Sequence, residues 1–320
     1  MTLYCGFKNP EDIVIVPGGE KLLVSEMGEF MIHPPGELVL LDLASGERET
    51  IKISWQSVEK WGDVNCPIPD IKLFSPHGID LMQREDGLQQ LLVVNHGGRE
   101  AVEFFELSKE LDVWSLQWRG CALPPGDPFI NDVVSLNDGG FLVTHMWDKS
   151  LPFEKVVGKW RSGEKTGWVY EWQAKTGFVK VPNSMGMMPN GIAVSADNSK
   201  IFVNIYVANK TLRIDRASGH VDGAFNVQQP DNITVDESGM LWIASQKGNP
   251  IKTCIYQGVC LLPFEIIRAD PETLETEVIL SHDGRPMGYV TVAIKVGSKV
   301  YMGSAHGDRI ASYPISNRIP

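Results

Sequence analysis

Two histidines and a scattered set of acids and amides carry the chemistry that this chain can perform. His77 opens the stretch PHGIDLMQREDGLQQLLVVNH just after its proline, and His96 closes it. Ile79, Leu81 and the run Leu91 to Val94 read as strands, and Arg84-Glu85-Asp86-Gly87 between them reads as a turn. The stretch predicts an antiparallel hairpin that brings both imidazoles to one end. There a group titrating near neutrality can take a proton from water. Pro-His-Gly and Asn-His-Gly-Gly also serve as plain loop punctuation, so the pairing gains weight only from what recurs elsewhere in the chain.

One pattern recurs six times: a polar start, a short apolar strand, a Gly/Asp/Asn/Ser turn and a second apolar strand. The copies are EDIVIVPGGEKLLVSE from Glu11, HGIDLMQREDGLQQLLVVNH from His77, NDVVSLNDGGFLVTH from Asn131, NGIAVSADNSKIFVN from Asn190, DNITVDESGMLWIAS from Asp231 and VTVAIKVGSKVYMGS from Val290. Their starts lie 41 to 66 residues apart, room for about four strands per copy. Further strands follow the copies in GELVLLDLASGERETIKI, AVEFFELSKELDVWSLQW, TLRIDRASGHVDGAF and RIASYPI, while helical periodicity is confined to one turn near Pro271 to Leu280. The expectation is an all-β, six-bladed β-propeller of four-stranded blades around a central, metal-containing channel, with residues 1–320 as a single domain.

In a propeller the innermost strands surround the channel, so the residues that open them converge. Glu11-Asp12, Asn131-Asp132, Asn190-Gly191 and Asp231-Asn232 occupy that place. Each pair alone is ordinary turn chemistry, but four copies with carboxylate or amide oxygens in one position predict a shared cation site. Hard oxygens without thiolates suit Ca²⁺, which takes six to eight oxygen ligands.

The remaining composition agrees. A formal charge of −11 argues against a phosphate backbone as ligand and suits a cation. Five cysteines without CxxC spacing indicate neither a disulfide framework nor a zinc cluster, and the expectation is buried or idle thiols. No apolar stretch is long enough to span a membrane and the N-terminus has no signal-peptide pattern, so a cytoplasmic location is expected. The oligomeric state is not readable.

At these residues the sequence resembles the calcium-dependent paraoxonase/arylesterase family, within a wider group of six-bladed propellers that includes gluconolactonases and strictosidine-synthase-like proteins. The resemblance covers the repeat cores from Glu11 to about Ser304 and rests on PHGI with VVNH, the ND of INDVV, PNGIA and PDNI. It implies a catalytic calcium held by Glu11, Asn131, Asn190, Asp231 and Asn232. A structural calcium would be held by Asp12, Asp132 and the carbonyl of Ile79, and a histidine dyad would fall on His77 and His96. The gluconolactonase pattern shares the Glu and the PNG asparagine but lacks the histidine pair. The family's N-terminal apolar segment and end-to-end disulfide have no counterpart in this sequence, so membrane or lipoprotein association is not carried over.

The reading is a calcium-dependent hydrolase of lactones or related esters with no serine nucleophile, since GxSxG is absent. Its partner is a small-molecule substrate. A sugar lactonase using the metal without the dyad, and a non-enzymatic propeller fastened by calcium, are the alternatives. Ser304, His145 and His306 are expected near the mouth without a catalytic role. The stretch His145 to Lys165, with Trp147, Trp160 and Trp168 in or beside it, is expected as a pocket wall or as a surface loop.

Overall fold

The structure is a computed structural model that describes residues 1–28, 35–56, 59–250 and 260–315. The second strand of every repeat carries an unbroken apolar run: Leu22 to Val24, Leu91 to Val94, Phe141 to Val143, Ile201 to Val203, Leu241 to Ile243 and Val300 to Met302 are all buried. Side chains alternate between the faces of a strand, so one covered on both faces must be apolar throughout. Leu91 and Val93 pack towards the preceding repeat, whereas Leu92 and Val94 pack towards the following one. Six such cores, one between each pair of neighbouring sheets, close a ring.

The ring is a six-bladed β-propeller of antiparallel sheets. Blade 1 runs outward through Pro10–Ile15, Lys21–Glu26, Glu37–Asp42 and Arg48–Thr50. Blades 2 to 6 have Pro76–Gln83, Pro128–Ser135, Pro189–Val194, Pro230–Val235 and Val290–Val296 as their innermost strands. The chain's first strand, Thr2–Cys5, pairs with Arg309–Pro314 and supplies the outer strand of blade 6. Ring closure is therefore a hydrogen-bonded clasp between the two ends of the sequence, which local strand patterns could not reveal.

Three expectations are corrected. The IKI of GERETIKI does not extend the outer strand of blade 1: Lys52–Ser54 crosses over and pairs in parallel with Val113–Ala122, adding a fifth strand to blade 2. Residues Pro271 to Leu280 hold the expected single turn, closed by Leu274 N–H to Asp270 C=O, before the strand Thr276–His282, but helix is not confined to it: an α-helix forms at Phe153–Arg161. The cysteines are not idle either, for Cys66 and Cys121 are bridged with Cα atoms 5.6 Å apart, and Cys260 is disulfide-bonded too. Residues 61–66 lie against the strand Val113–Ala122 of blade 2, with Trp61 N–H and Asp63 N–H bonded to its carbonyls, so two cysteines remote in sequence meet. Cys5 is free, and Cys254 lies outside the described residues.

Candidate active site

Every innermost strand is bulged at one place. The register with the second strand slips between Pro10 and Asp12, Pro76 and Ile79, Ile130 and Val133, Pro189 and Ile192, Pro230 and Ile233, and Val290 and Val292. A bulge leaves a residue unpaired and re-aims its side chain. The first residues released at these slips are Glu11, His77, Asn131, Asn190, Asp231 and Thr291, and all six line one cavity of ≈ 680 Å³. The glycines after His77 and Asn190 permit the crowding this needs: a Cβ on Gly78 would lie 2.5 Å from the Asn131 carbonyl oxygen, and one on Gly191 2.4 Å from that of Asp231. Met188, Gln229 and Tyr289, immediately before three of these strands, adopt left-handed backbone (φ 62°, 38° and 51°) and also line the cavity. Such conformations cost about 1–3 kcal/mol each and are held only where surrounding packing dictates them.

The predicted ligand set converges. Asn232 Nδ2 donates to Glu11 Oε1 at 2.9 Å, and Asn131 Nδ2 lies 3.0 Å from His77 Nε2. A hydrogen bond from the Asn190 side chain reaches Asp231 and lowers its pKa. With their NH₂ groups so engaged, Asn131, Asn190 and Asn232 each keep a buried Oδ1 without a hydrogen-bond partner among the described residues, and so does Oε2 of Glu11. Four orphaned buried oxygens are costly unless something satisfies them. Burial, then the charges of Asp12, Asp231 and Asp132, push the Glu11 carboxyl well up; burial pushes Asp231 up to about 8. Carboxylates crowded in this way call for a cation. The five side chains are two carboxylates and three amides with no thiolate among them, a donor set that fits an oxygen-loving ion rather than zinc.

Asp12 and Asp132 sit next to this ring but point between blades. Asp12 accepts the backbone N–H of Ile79 in the next blade at 2.8 Å and that of Ile13 at 2.8 Å. Asp132 repeats the arrangement with Ile192 and Val133, both at 2.8 Å. Their carboxylates thus latch neighbouring blades. Burial pushes Asp12 up to about 7, and burial together with the charge of Asp12 raises Asp132.

The two histidines meet at the end of the hairpin as expected. Their rings are 4.8 Å apart and nearly perpendicular, with Pro76 paired to Asn95 in the sheet. His77 Nε2 lies 3.7 Å from Glu11 Oε1, beside the oxygen ring. His96 turns Nδ1 the other way, 3.0 Å from both carboxylate oxygens of Glu100.

Four participants escaped sequence reasoning. Glu100 was hidden because its partner lies across the Gly97-Gly98 turn. Thr291 had no acid or amide to mark it, yet its Oγ1 donates to the Glu11 carbonyl at 2.7 Å and so braces that residue. Gln246 holds Asp231 Oδ2 through Nε2 and accepts the buried hydroxyl of Tyr206. Its place at the end of a second strand matched that of His96 and gave the only available hint.

The stretch His145 to Lys165 becomes a wall. Phe153–Arg161 is a nine-residue helix after Pro152, with Phe153, Val156, Val157 and Trp160 on one stripe. It packs on Phe129, Met146 and Trp147, and Trp160 Nε1 donates to Thr166 Oγ1, which donates to the Met146 carbonyl. Phe153, Val157, Trp160 and Arg161 face the cavity. Asn209, Gln228, Gln229 and Asn249 form a polar wall. His145, Ser304 and His306 are buried and do not line the cavity: His145 lies against the ring of Trp168, and Ser304 Oγ donates to the Gly288 carbonyl.

Known proteins bear on this geometry. The profile of the SMP-30/Gluconolactonase/LRE-like region matches residues 36–294, a span that takes in the site residues except Glu11 and Asp12. Among solved structures, a gluconolactonase from Xanthomonas campestris shares 13% identity over 98% of this chain and 89% of its own, with a TM-score of 0.56. A periplasmic gluconolactonase from Pseudomonas aeruginosa shares 14% over 97% and 82%, with a TM-score of 0.53. Regucalcin from Agrobacterium tumefaciens, described as a calcium-binding protein, shares 14% over 97% and 91%, with a TM-score of 0.51. At these identities the structures share the fold.

Proposed function

Because the chain belongs to the SMP-30/gluconolactonase/LRE-like family, we propose that it is a calcium-dependent hydrolase of lactones or related esters, working with a His77–His96 pair in the manner of paraoxonase-like enzymes. The observation that carries the proposal is the group of orphaned buried oxygens of Glu11, Asn131, Asn190 and Asn232 beside an imidazole, at the floor of a large cavity. When bound by these residues and Asp231, Ca²⁺ supplies polarisation of the ester carbonyl and a positive charge for the developing oxyanion. Asn131 Nδ2, as donor to His77 Nε2, marks that nitrogen as the unprotonated one, and its single lone pair is open to a proton once water replaces the amide N–H there. His77 then takes a proton from water as the water oxygen bonds to the carbonyl carbon. The ring C–O bond breaks, and the departing alkoxide regains a proton, giving the hydroxy acid. His96, packed against His77, shares the charge that His77 acquires.

A second ion among Asp12, Asp132 and the Ile79 carbonyl is part of the same proposal. Its support is the pair of buried carboxylates, the charge of Asp12 adding to burial in raising Asp132, against which stand the backbone N–H bonds already satisfying them. The polar wall of Asn209, Gln228, Gln229 and Asn249 favours another reading, a sugar lactonase that does without the dyad. Elemental analysis of protein purified without added metal, joined to turnover of aliphatic, aromatic and sugar lactones with and without chelator, tests both. Calcium content with chelator-sensitive lactone turnover is the expected result. Zinc, or no divalent ion, would overturn the metal assignment.

A further inference from the structure

Behind the histidine pair lies a third side chain that nothing above uses. Glu100 is almost wholly covered, its side chain 5% exposed. Both its oxygens lie 3.0 Å from His96 Nδ1; Oε1 also takes Lys149 Nζ at 2.9 Å, and Oε2 the backbone N–H of Ile130 at 3.2 Å. Ile130 precedes Asn131 on the innermost strand of blade 3, while His96 directly follows the second strand of blade 2. The carboxylate therefore joins the blade that carries the dyad to the blade that carries a cation ligand. Burial opposes its ionisation, yet the charges and hydrogen bonds of His96 and Lys149 hold its pKa below the usual carboxylate range. An ionised carboxylate accepts and cannot donate, so the shared hydrogen must sit on His96 Nδ1.

We propose that Glu100 is a positioning residue: it fixes His96 with Nδ1 protonated and leaves Nε2 as the nitrogen available to His77. The proton taken from water by His77 then meets a neighbour whose added charge is balanced by a fixed carboxylate. This rests on the general-base reading of His77. Carboxylates behind catalytic or metal-binding imidazoles act in the same way, by setting tautomer and orientation. Lys149, half-buried at the outer side, keeps the carboxylate charged without reaching the histidines' cavity face.

The test is the imidazole ¹⁵N–¹H spectrum of the full-length, calcium-loaded protein at alkaline pH, with His96 assigned through His96→Gln. The expected wild-type signature is His96 protonated on Nδ1, replaced in Glu100→Gln by the Nε2-protonated form or a mixture. Glu100→Gln should lower kcat on the best lactone by roughly 10- to 100-fold with little change in KM, and Glu100→Asp should restore part of it. Adding Glu100→Gln to His96→Gln should cost little more than His96→Gln alone. Finding His96 protonated on Nε2 in wild type, a measurement that needs no variant to fold, overturns the proposal, as does wild-type kcat in Glu100→Gln. Full activity of His77→Gln would instead remove the general-base reading, and it is told apart because the His96 tautomer does not depend on it.

Discussion

At the scale of single residues, the proposed mechanism assigns charge-holding and proton transfer to different side chains. His77 is the mobile-proton candidate because Nε2 faces both the Asn131 amide and the cavity. His77→Gln should keep calcium content and fold while reducing lactone turnover by ~10²-fold or more, the usual worth of a general base. Steady-state rates with calcium determined on the same sample check this. His145 tests the opposite role, a histidine kept neutral. Burial, with Lys180 adding to it, lowers its pKa to about 4 against the pull of the Trp147 backbone, Asp148 and Glu100. Since the unfolded chain protonates near 6.5, the folded state binds fewer protons between about pH 6.5 and 4. Its stability contribution is complete above pH 6.5 and is lost as pH falls towards 4, by about 3 kcal/mol at most. Chemical denaturation of wild type and His145→Phe across that range should show the variant with the flatter profile. The convergence of Glu11, His77, Asn131, Asn190 and Asp231 on one cavity was legible because acids, amides and a histidine repeat at one register position. Thr291 and Glu100 were not, since a hydroxyl and a distant carboxylate look like any surface residue until the fold places them.

At the scale of elements, the innermost strands of blades 1 and 3 do two jobs with adjacent residues: the bulged one faces the cavity and the next one latches the neighbouring blade. Asp132 is the clearest case, because its Oδ2 satisfies the buried N–H of Ile192 one blade away. Asp132→Ala should leave that N–H and its own neighbour's unpaired, costing about 1–3 kcal/mol per orphaned group. In a chain of this size, that is a fall of several degrees in melting temperature. Differential scanning calorimetry reads the fall, and calcium analysis of the same variant reads the cause. A lower stoichiometry means a second ion, whereas an unchanged one leaves the latch as sufficient explanation. The second strands were readable from their apolar runs, and the hairpin of His77 and His96 from its turn. The Phe153–Arg161 helix was not: its apolar stripe spans only nine residues, with a glycine at position 158 and no side-chain cap, too short to hold by itself, and packing on Trp147 and Met146 stabilises it instead. The Thr2–Cys5 strand was equally hidden, as its partner stands at the other end of the sequence.

At the scale of the whole molecule, the balance of charge and surface decides what can enter. The chain carries a formal charge of −11, and its cavity floor concentrates buried carboxyl groups, a field that draws cations inward and holds anionic substrates off. Against this background Arg161 is the one Lys or Arg among the described residues that line the cavity, set on the last turn of the helix. Among the described residues no acidic side chain lies within ion-pair distance of it, whereas nearby Lys159 is engaged by Glu164. A guanidinium so placed, beside Trp160 and Phe153, can meet a carboxylate at the outer end of a substrate whose apolar body lies on the helix while its ester reaches the floor. The consequence is selective. Arg161→Gln should raise KM for lactones bearing a carboxylate on their side chain by roughly fivefold, the worth of about 1 kcal/mol for a solvent-exposed charge, and leave neutral lactones of the same shape unchanged. The wild-type preference should also shrink as salt rises, because the interaction sits in solvent at the rim. Parallel kinetics on a matched acid and amide pair of lactones at low and high ionic strength measure both effects. An equal KM change for the two substrates would show that Arg161 acts by packing alone.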